Sequence, residues 1–327
     1  MKIPQLSLIA ATVILCLPSC KNTTDEEATA TSGETEHEQR VVTITCNEEQ
    51  VSISEEPMAR AAAGEGQKTI GVSIYKQTAD GYEPYAYGLY DGTASINAVL
   101  DEGDKYMIEC IELKAAEDTL YHDRNRYYEP FMTGNKPTEL TNTMTYSSTS
   151  GFDNMTEGKY ALYVKDVNGK PTRYYAWNPS AYTYFGGVED FDPATSASVT
   201  LNLHRAVFGL HFIVTPPSNG SVSFNFLNLK GFTVSKEDAV YDHESVYSFS
   251  DIINGTADDY SSNIRVFSTW TQSDGSVKRD TINVPVTRNQ TTVVELSFSG
   301  PKDEGFSLNE ESGGFTSDTL QYVIGKK

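Results

Sequence analysis

Apolar and polar residues alternate one by one through much of this chain, the period of a strand with one face buried. The first such run is 40–46 (RVVTITC), which sets Val42, Ile44 and Cys46 on one face. Asn47, Glu48 and Glu49 turn the chain, and Val51 to Ile53 resumes the pattern. Residues 55–66 hold Pro57, Gly64 and Gly66 and read as a loop. Clean alternation returns at 70–75 (IGVSIY), 95–100 and 105–113, with Asp80-Gly81, Asp91-Gly92 and Glu102-Gly103 as the intervening turns.

From 114 to 158 the alternation fades and Asn, Thr, Asp and Gly dominate, as in a long insertion with one short helix near Ala115. Residues 159–164 and 172–177 then alternate around Asn168-Gly169, which predicts a β-hairpin, because Asn-Gly tolerates the positive φ of a tight turn. Residues 190–195 read as a loop. The longest strand-like run is 199–214 (VTLNLHRAVFGLHFIV). Its phase slips once at His204-Arg205, which predicts a bulge or a crossing between sheets. Pro216 to Gly220 turns the chain into 221–226, and strands follow at 264–271, 277–286 and 291–298. Many short strands with turn signals every 8–12 residues predict sandwiches.

The expected layout is all-β, with two tandem domains: 40–198, holding the insertion 114–158, and 199–300. After Phe298 the pattern stops at Gly300-Pro301, and 302–317 is polar and Gly-rich. Alternation resumes at the end, with Leu320, Tyr322 and Ile324 on one side of a tail (301–327) that needs somewhere to pair.

The N-terminus reads differently. Met1-Lys2 precedes an apolar run from Leu6 to Leu17, shorter than the roughly 20 residues that cross a bilayer. Leu17, Pro18, Ser19 and Cys20 resemble the lipobox of bacterial lipoproteins. That resemblance implies a signal peptide at 1–19 and acylation of Cys20, with the lipid as the only membrane attachment. Residues 20–39 hold no aromatic or large aliphatic side chain, and read as a disordered tether.

Net charge is −20, spread through the chain. This argues against nucleic acid, whose binders need Lys/Arg patches, and against docking on anionic lipid. Of four cysteines, Cys16 leaves with the signal and Cys20 is acylated. Cys46 and Cys110 remain as a candidate disulfide, with two separately buried thiols as the alternative. Five histidines (His37, His122, His204, His211 and His243) show no metal-ligand spacing, and there is no nucleophile elbow or phosphate-cradling loop. No cofactor, no metal and no enzyme activity is expected. Tyr174, Tyr175, Trp177, Tyr182 and Tyr184 form a candidate aromatic platform for sugar rings, against the alternative that they pack strands.

The order of parts is similar to that of fimbrillins, the pilins of Bacteroidota related to Mfa-like adhesins. The lipobox, the strand at 41–46, the loop ending in Met58-Ala59-Arg60-Ala61, the strand at 70–75 and the run 201–210 carry the resemblance. It implies transthyretin-like Greek-key sandwiches on an outer-membrane or cell-surface lipoprotein. It also implies a proteolytic cut at Arg60-Ala61 and release of the strand at 41–53. The opened groove would be filled by the C-terminal strand of another fimbrial subunit, here Thr319, Leu320, Tyr322 and Ile324. The alternative is a monomeric surface lipoprotein that binds glycan or a host or bacterial surface ligand.

Overall fold

The computed structural model describes residues 38–49, 68–92, 95–115, 120–227, 229–298, 311–313 and 315–324. Described residues before Ala206 contribute thirteen strands: β1 (Gln39–Glu48), β2 (Lys68–Thr78), β3 (Gly81–Tyr90), β4 (Ile96–Asp101), β5 (Tyr106–Ala115), β6 (His122–Asp123), β7 (Arg126–Thr133), β8 (Lys136–Glu139), β9 (Met144–Tyr146), β10 (Tyr160–Lys165), β11 (Pro171–Ala176), β12 (Ala181–Phe191) and β13 (Ser198–Arg205). Eight of them hydrogen-bond in the order β4-β1-β13-β12-β5-β2-β3-β9. The β12–β13 link is only two pairs long, Tyr184 with Arg205 and Phe185 with His204. The sheet folds over there, so β4-β1-β13 packs on β12-β5-β2-β3. Gly186 permits this close approach, since a Cβ there would sit 2.2 Å from the Asn202 carbonyl oxygen.

The alternation seen in the sequence fills the space between the two leaves. Val42 and Ile44 of β1 meet Ile70, Val72 and Ile74 of β2, Ile108 and Cys110 of β5, and Leu201 and Leu203 of β13. The larger leaf is buried on its other face too. Ile111 and Leu113 of β5 pack there under Leu120, Tyr127, Phe131, Phe152 and Met155. The segment read as an insertion is therefore largely a cover, whose strands are β6-β7-β8, while β9 extends the larger leaf beside β3; Ala115 ends β5, and 116–119 lies outside the described residues. Hairpin β10–β11 forms as expected, with Gly169 at φ 78° in its turn.

Beyond Ala206 come β14 (Val207–Val214), β15 (Ser221–Phe226), β16 (Phe232–Ser235), β17 (Tyr241–Ser248), a single helical turn α1 (Ile252–Gly255), β18 (Ser261–Thr271), β19 (Val277–Thr287), β20 (Thr291–Phe298), β21 (Glu311–Gly313) and β22 (Phe315–Ile324). They form two sheets, β17-β14-β20-β22-β21 and β16-β15-β18-β19. Phe208, Phe212, Phe224, Trp270, Val284 and Leu296 are among the side chains between them. The phase slip at His204-Arg205 is a crossing between sheets. β13 belongs to the first sheet pair and β14 to the second, with Ala206 alone between them. The boundary expected at 199 falls at the start of β13.

The two sheet pairs meet along β12 and β17. Ser248 Oγ lies 2.5 Å from Thr183 Oγ1 and donates to the Ala181 carbonyl at 2.7 Å, and Asn178 Nδ2 donates to the Ser248 carbonyl at 3.0 Å. All are buried polar groups with partners, as a close-packed junction requires.

Candidate functional site: strand β1 and its anchorage

β1 has a neighbour on each side. It runs parallel to β13, from Thr43 opposite Ser198 to Glu48 opposite Leu203. It runs antiparallel to β4, from Gln39 opposite Asp101 to Ile44 opposite Ile96. Among the described residues β4 has no other sheet neighbour. Removing β1 would strand β4, bare one edge of β13 and empty the places of Val42 and Ile44 in the core. β2, the next described strand, lies in the opposite leaf, and residues 50–67 between the two lie outside the described residues.

Three side-chain constellations hold the C-terminal end of β1. Glu48 reaches the first. Lys68 Nζ stands 3.0 Å from Glu48 Oε1 and 2.7 Å from Glu112 Oε2, and Lys114 Nζ pairs with Glu48 and lies 3.8 Å from Glu112 Oε1. Glu112 is wholly buried, on the face of β5 that carries Cys110. Burial, working against the Lys68 hydrogen bond and helped by contact with Glu48, pushes its carboxyl up to about 7. Burial also acts on Glu48, but bonds from Lys114 and Lys68 outweigh it and hold that carboxyl down at about 2.

These shifts act on stability in opposite senses. The folded chain keeps the Glu112 proton up to pH about 7, while the unfolded chain releases it near the ordinary carboxylate value of about 4.3. Between those limits the unfolded state binds fewer protons, so this group makes stability fall as pH rises. Glu48 contributes stability above the ordinary value, lost as pH drops toward 2. The melting temperature should therefore fall more steeply between about pH 5 and pH 8 in the native chain than in Glu112→Gln. Thermal denaturation of both proteins across that range checks it, and superimposable slopes would remove Glu112 as the cause.

Glu49 reaches the second constellation. Its Oε2 accepts from the Arg205 backbone N–H at 2.9 Å and from Arg288 Nη2. Arg288 is buried; its Nε donates to the Arg205 carbonyl at 2.7 Å and its Nη1 to exposed Asp258 at 3.1 Å. Arg205 is buried as well, with Nε donating to Asn289 Oδ1 at 2.7 Å. Both donors hold Glu49 below the usual carboxylate range despite its partial burial. Arg288 follows β19, so the exit of β1 is tied to the second sheet pair.

The third is a sulfur pair. Cys46 on β1 and Cys110 on β5 face each other from opposite leaves with their Sγ atoms 3.3 Å apart, both free thiols. Sequence spacing left open whether these two meet. They do.

The other sequence candidates are scattered. Cys20, Arg60 and Ala61 lie outside the described residues. The tail forms β22, parallel to β20 in its own chain, with Thr319 opposite Val293, Leu320 opposite Val294, Tyr322 opposite Leu296 and Ile324 opposite Phe298. The aromatic platform divides. Tyr174, Tyr175 and Trp177 are exposed, with the Arg173 guanidinium 4.6 Å from the Tyr175 ring and 4.9 Å from that of Tyr128. Tyr182 and Tyr184 are buried in the first core, because they sit at inward positions of β12. That half of the platform is corrected to core. Among the described residues, no group of three or more His, Cys, Asp or Glu could hold a metal.

Fold and site together describe an all-β protein of stacked sheet pairs whose first strand is pinned at one end by charges and sulfur. No model of a known protein family matches the chain, and no curated protein matches it. Solved structures with a similar course include a fimbrial assembly protein from Parabacteroides distasonis, at 10% identity over 79% of this chain and 90% of that one, with a TM-score of 0.31. The fimbrial anchor protein Mfa2 from Porphyromonas gingivalis matches at 10% identity over 74% and 82%, with a TM-score of 0.30. A proposed cell adhesion protein from Bacteroides eggerthii matches at 11% over 90% and 100%, with a TM-score of 0.35. At such scores the reading of this chain rests on its own residues.

Proposed function

We propose that the chain is a fimbrillin-like structural and adhesion subunit of the cell surface, acylated at Cys20 and assembled by protease-triggered strand exchange. The observation that carries this reading is the setting of β1. It is laddered on both edges, and its apolar residues complete a core between the two leaves. Its loss would leave unpaired backbone groups and an apolar slot, which an extended strand from another copy repairs by β-augmentation. β22 has the length of β1, ten residues each, and already pairs in parallel with β20, as β1 does with β13. A head-to-tail exchange of this kind does not close, so it builds a filament.

Treating the purified full chain with an arginine-specific protease should cut after Arg60 and convert monomer into an SDS-resistant ladder. Deleting residues 301–327 should abolish the ladder and leave the monomer folded. Monomer that stays whole after treatment counts against the exchange, and a deletion that unfolds the monomer assigns β22 to its own chain alone.

A second reading, a monomeric surface lipoprotein that binds glycan, draws on two observations: β22 is paired within its own chain, and Tyr174, Tyr175 and Trp177 are exposed beside Arg173. Under that reading, glycan binding survives deletion of 301–327 and is lost in Tyr175→Ala.

A further inference from the structure

We propose that Cys46 and Cys110 are a redox pair whose oxidation to a disulfide fastens β1 across the first core to β5. Three observations converge on it. The Sγ atoms are 3.3 Å apart, so the bond, about 2.05 Å long, needs a movement of little more than an ångström. The partners sit on facing leaves at inward positions, Cys46 opposite Leu201 of β13, and Cys110 between Gly186 of β12 and Val72 of β2. Their environments differ in the way a two-step exchange requires. Cys46 is partly exposed, whereas Cys110 is fully buried.

The local charges set the order of events. The sulfur contact with Cys110, together with the Lys68 ammonium, holds the Cys46 thiol below its usual range against burial and the nearby Glu112 carboxylate. The same contact, with burial, pushes Cys110 well up. The thiolate is the nucleophile in such exchange. Cys46 therefore attacks the S–S bond of a disulfide oxidant, forming a mixed disulfide and releasing one thiol. Cys110 then gives its proton to solvent and attacks Cys46 Sγ, releasing the oxidant's second thiol. Two thiols of the chain are oxidised, and one disulfide of the oxidant is reduced to two thiols.

The consequence concerns the hold on β1. The peptide chain between 50 and 67 is its covalent link to everything downstream. Reduced and cut there, β1 is kept by ladders, packing and charges alone. Oxidised and cut, it stays bonded to β5. The lock does not depend on strand exchange being the natural function, but if exchange occurs it would act as a veto on the release of β1.

The test uses the full chain carrying Cys16→Ser and Cys20→Ser, with a site for a sequence-specific protease placed in 50–67. One portion is incubated with oxidised glutathione and another with dithiothreitol, and both are cut and unfolded in denaturant. The oxidised sample should show no free thiol, a mass lower by two hydrogens, and an N-terminal fragment that separates only on reduction. The reduced sample and a Cys46→Ala control should lose that fragment fully without reductant. Two titratable thiols after oxidation, mixed glutathione adducts without ring closure, or bridges between chains would each overturn the proposal. Circular dichroism of Cys46→Ala, matching the parent, keeps the control interpretable.

Discussion

Arg288→Ala is expected to destabilise the folded chain by about 3 kcal/mol, the lower end of the range for breaking a buried ion pair. The guanidinium is almost fully enclosed, and it serves the Glu49 carboxylate, the Arg205 carbonyl and Asp258. Truncation leaves the carbonyl without its donor and Glu49 with only the Arg205 N–H. The figure sits low in the range because a quarter of the Glu49 side chain remains exposed. Asp258, 97% exposed, is expected to be dispensable. Urea denaturation of Arg288→Ala, Glu49→Ala and the double variant would measure the coupling, expected at about 1–3 kcal/mol for direct neighbours. Strictly additive losses would show that the contact does not hold in solution. The position has a functional edge: the pair is the charged tie between the exit of β1 and the second sheet pair, so its loss should also speed release of a cut β1.

Trp270→Ala should cost more, about 4 kcal/mol, the middle of the range for emptying a large aromatic site. Trp270 on β18 is buried in the second core, edge-on to Phe298 at 5.7 Å, with its Nε1–H donating to the Asn219 carbonyl at 2.8 Å. The alanine variant leaves a cavity and an unpaired carbonyl. Trp270→Phe restores most of the volume but not the bond, so it should lose roughly 1–3 kcal/mol. The readout is built in. The chain has two tryptophans, and Trp177 is exposed. Removing Trp270 should erase the blue-shifted component of the native emission and leave the solvent-exposed signal. If the native spectrum keeps its blue component, Trp270 is not the buried ring.

Strands were legible wherever one face met a core and the other met water. The runs at 95–100 and 221–226 became β4 and β15 for that reason, while 70–75 and 105–113 became β2 and β5 with both faces covered. The phase slip at His204-Arg205 was legible as well, since moving from one sheet to another must break the inward register. Three things were hidden. β12 is buried at every position from Ala181 to Gly186, so it shows no alternation there, and its Tyr182 and Tyr184 stayed open between an aromatic platform and core packing. β16 and β17 are polar enough that no period stands out. The cover over β5 has an irregular pattern, because its residues pack from short strands and turns rather than from one face of a long one.

The anchorage was less legible still. Glu49 and Arg288 are 239 positions apart in the chain, and Cys46 and Cys110 are 64 apart. No spacing rule joins such pairs, because only the fold-over at Gly186 and the crossing at Ala206 bring them together. Glu48, Lys68, Glu112 and Lys114 read as ordinary solvated charges until β1, β2 and β5 place them at one end of the same core.

The parallel pairing of β1 with β13 also fixes how the molecule answers force. β13 runs through Ala206 straight into β14, with no slack between them. A pull between the start of β1 and the second sheet pair thus draws two parallel neighbours in opposite directions along their common axis. The bonds from Thr43 to Glu48 then bear the load together, in shear, instead of opening one after another like a zipper. β1 is built to withstand tension along the molecule and to yield to peeling from the side.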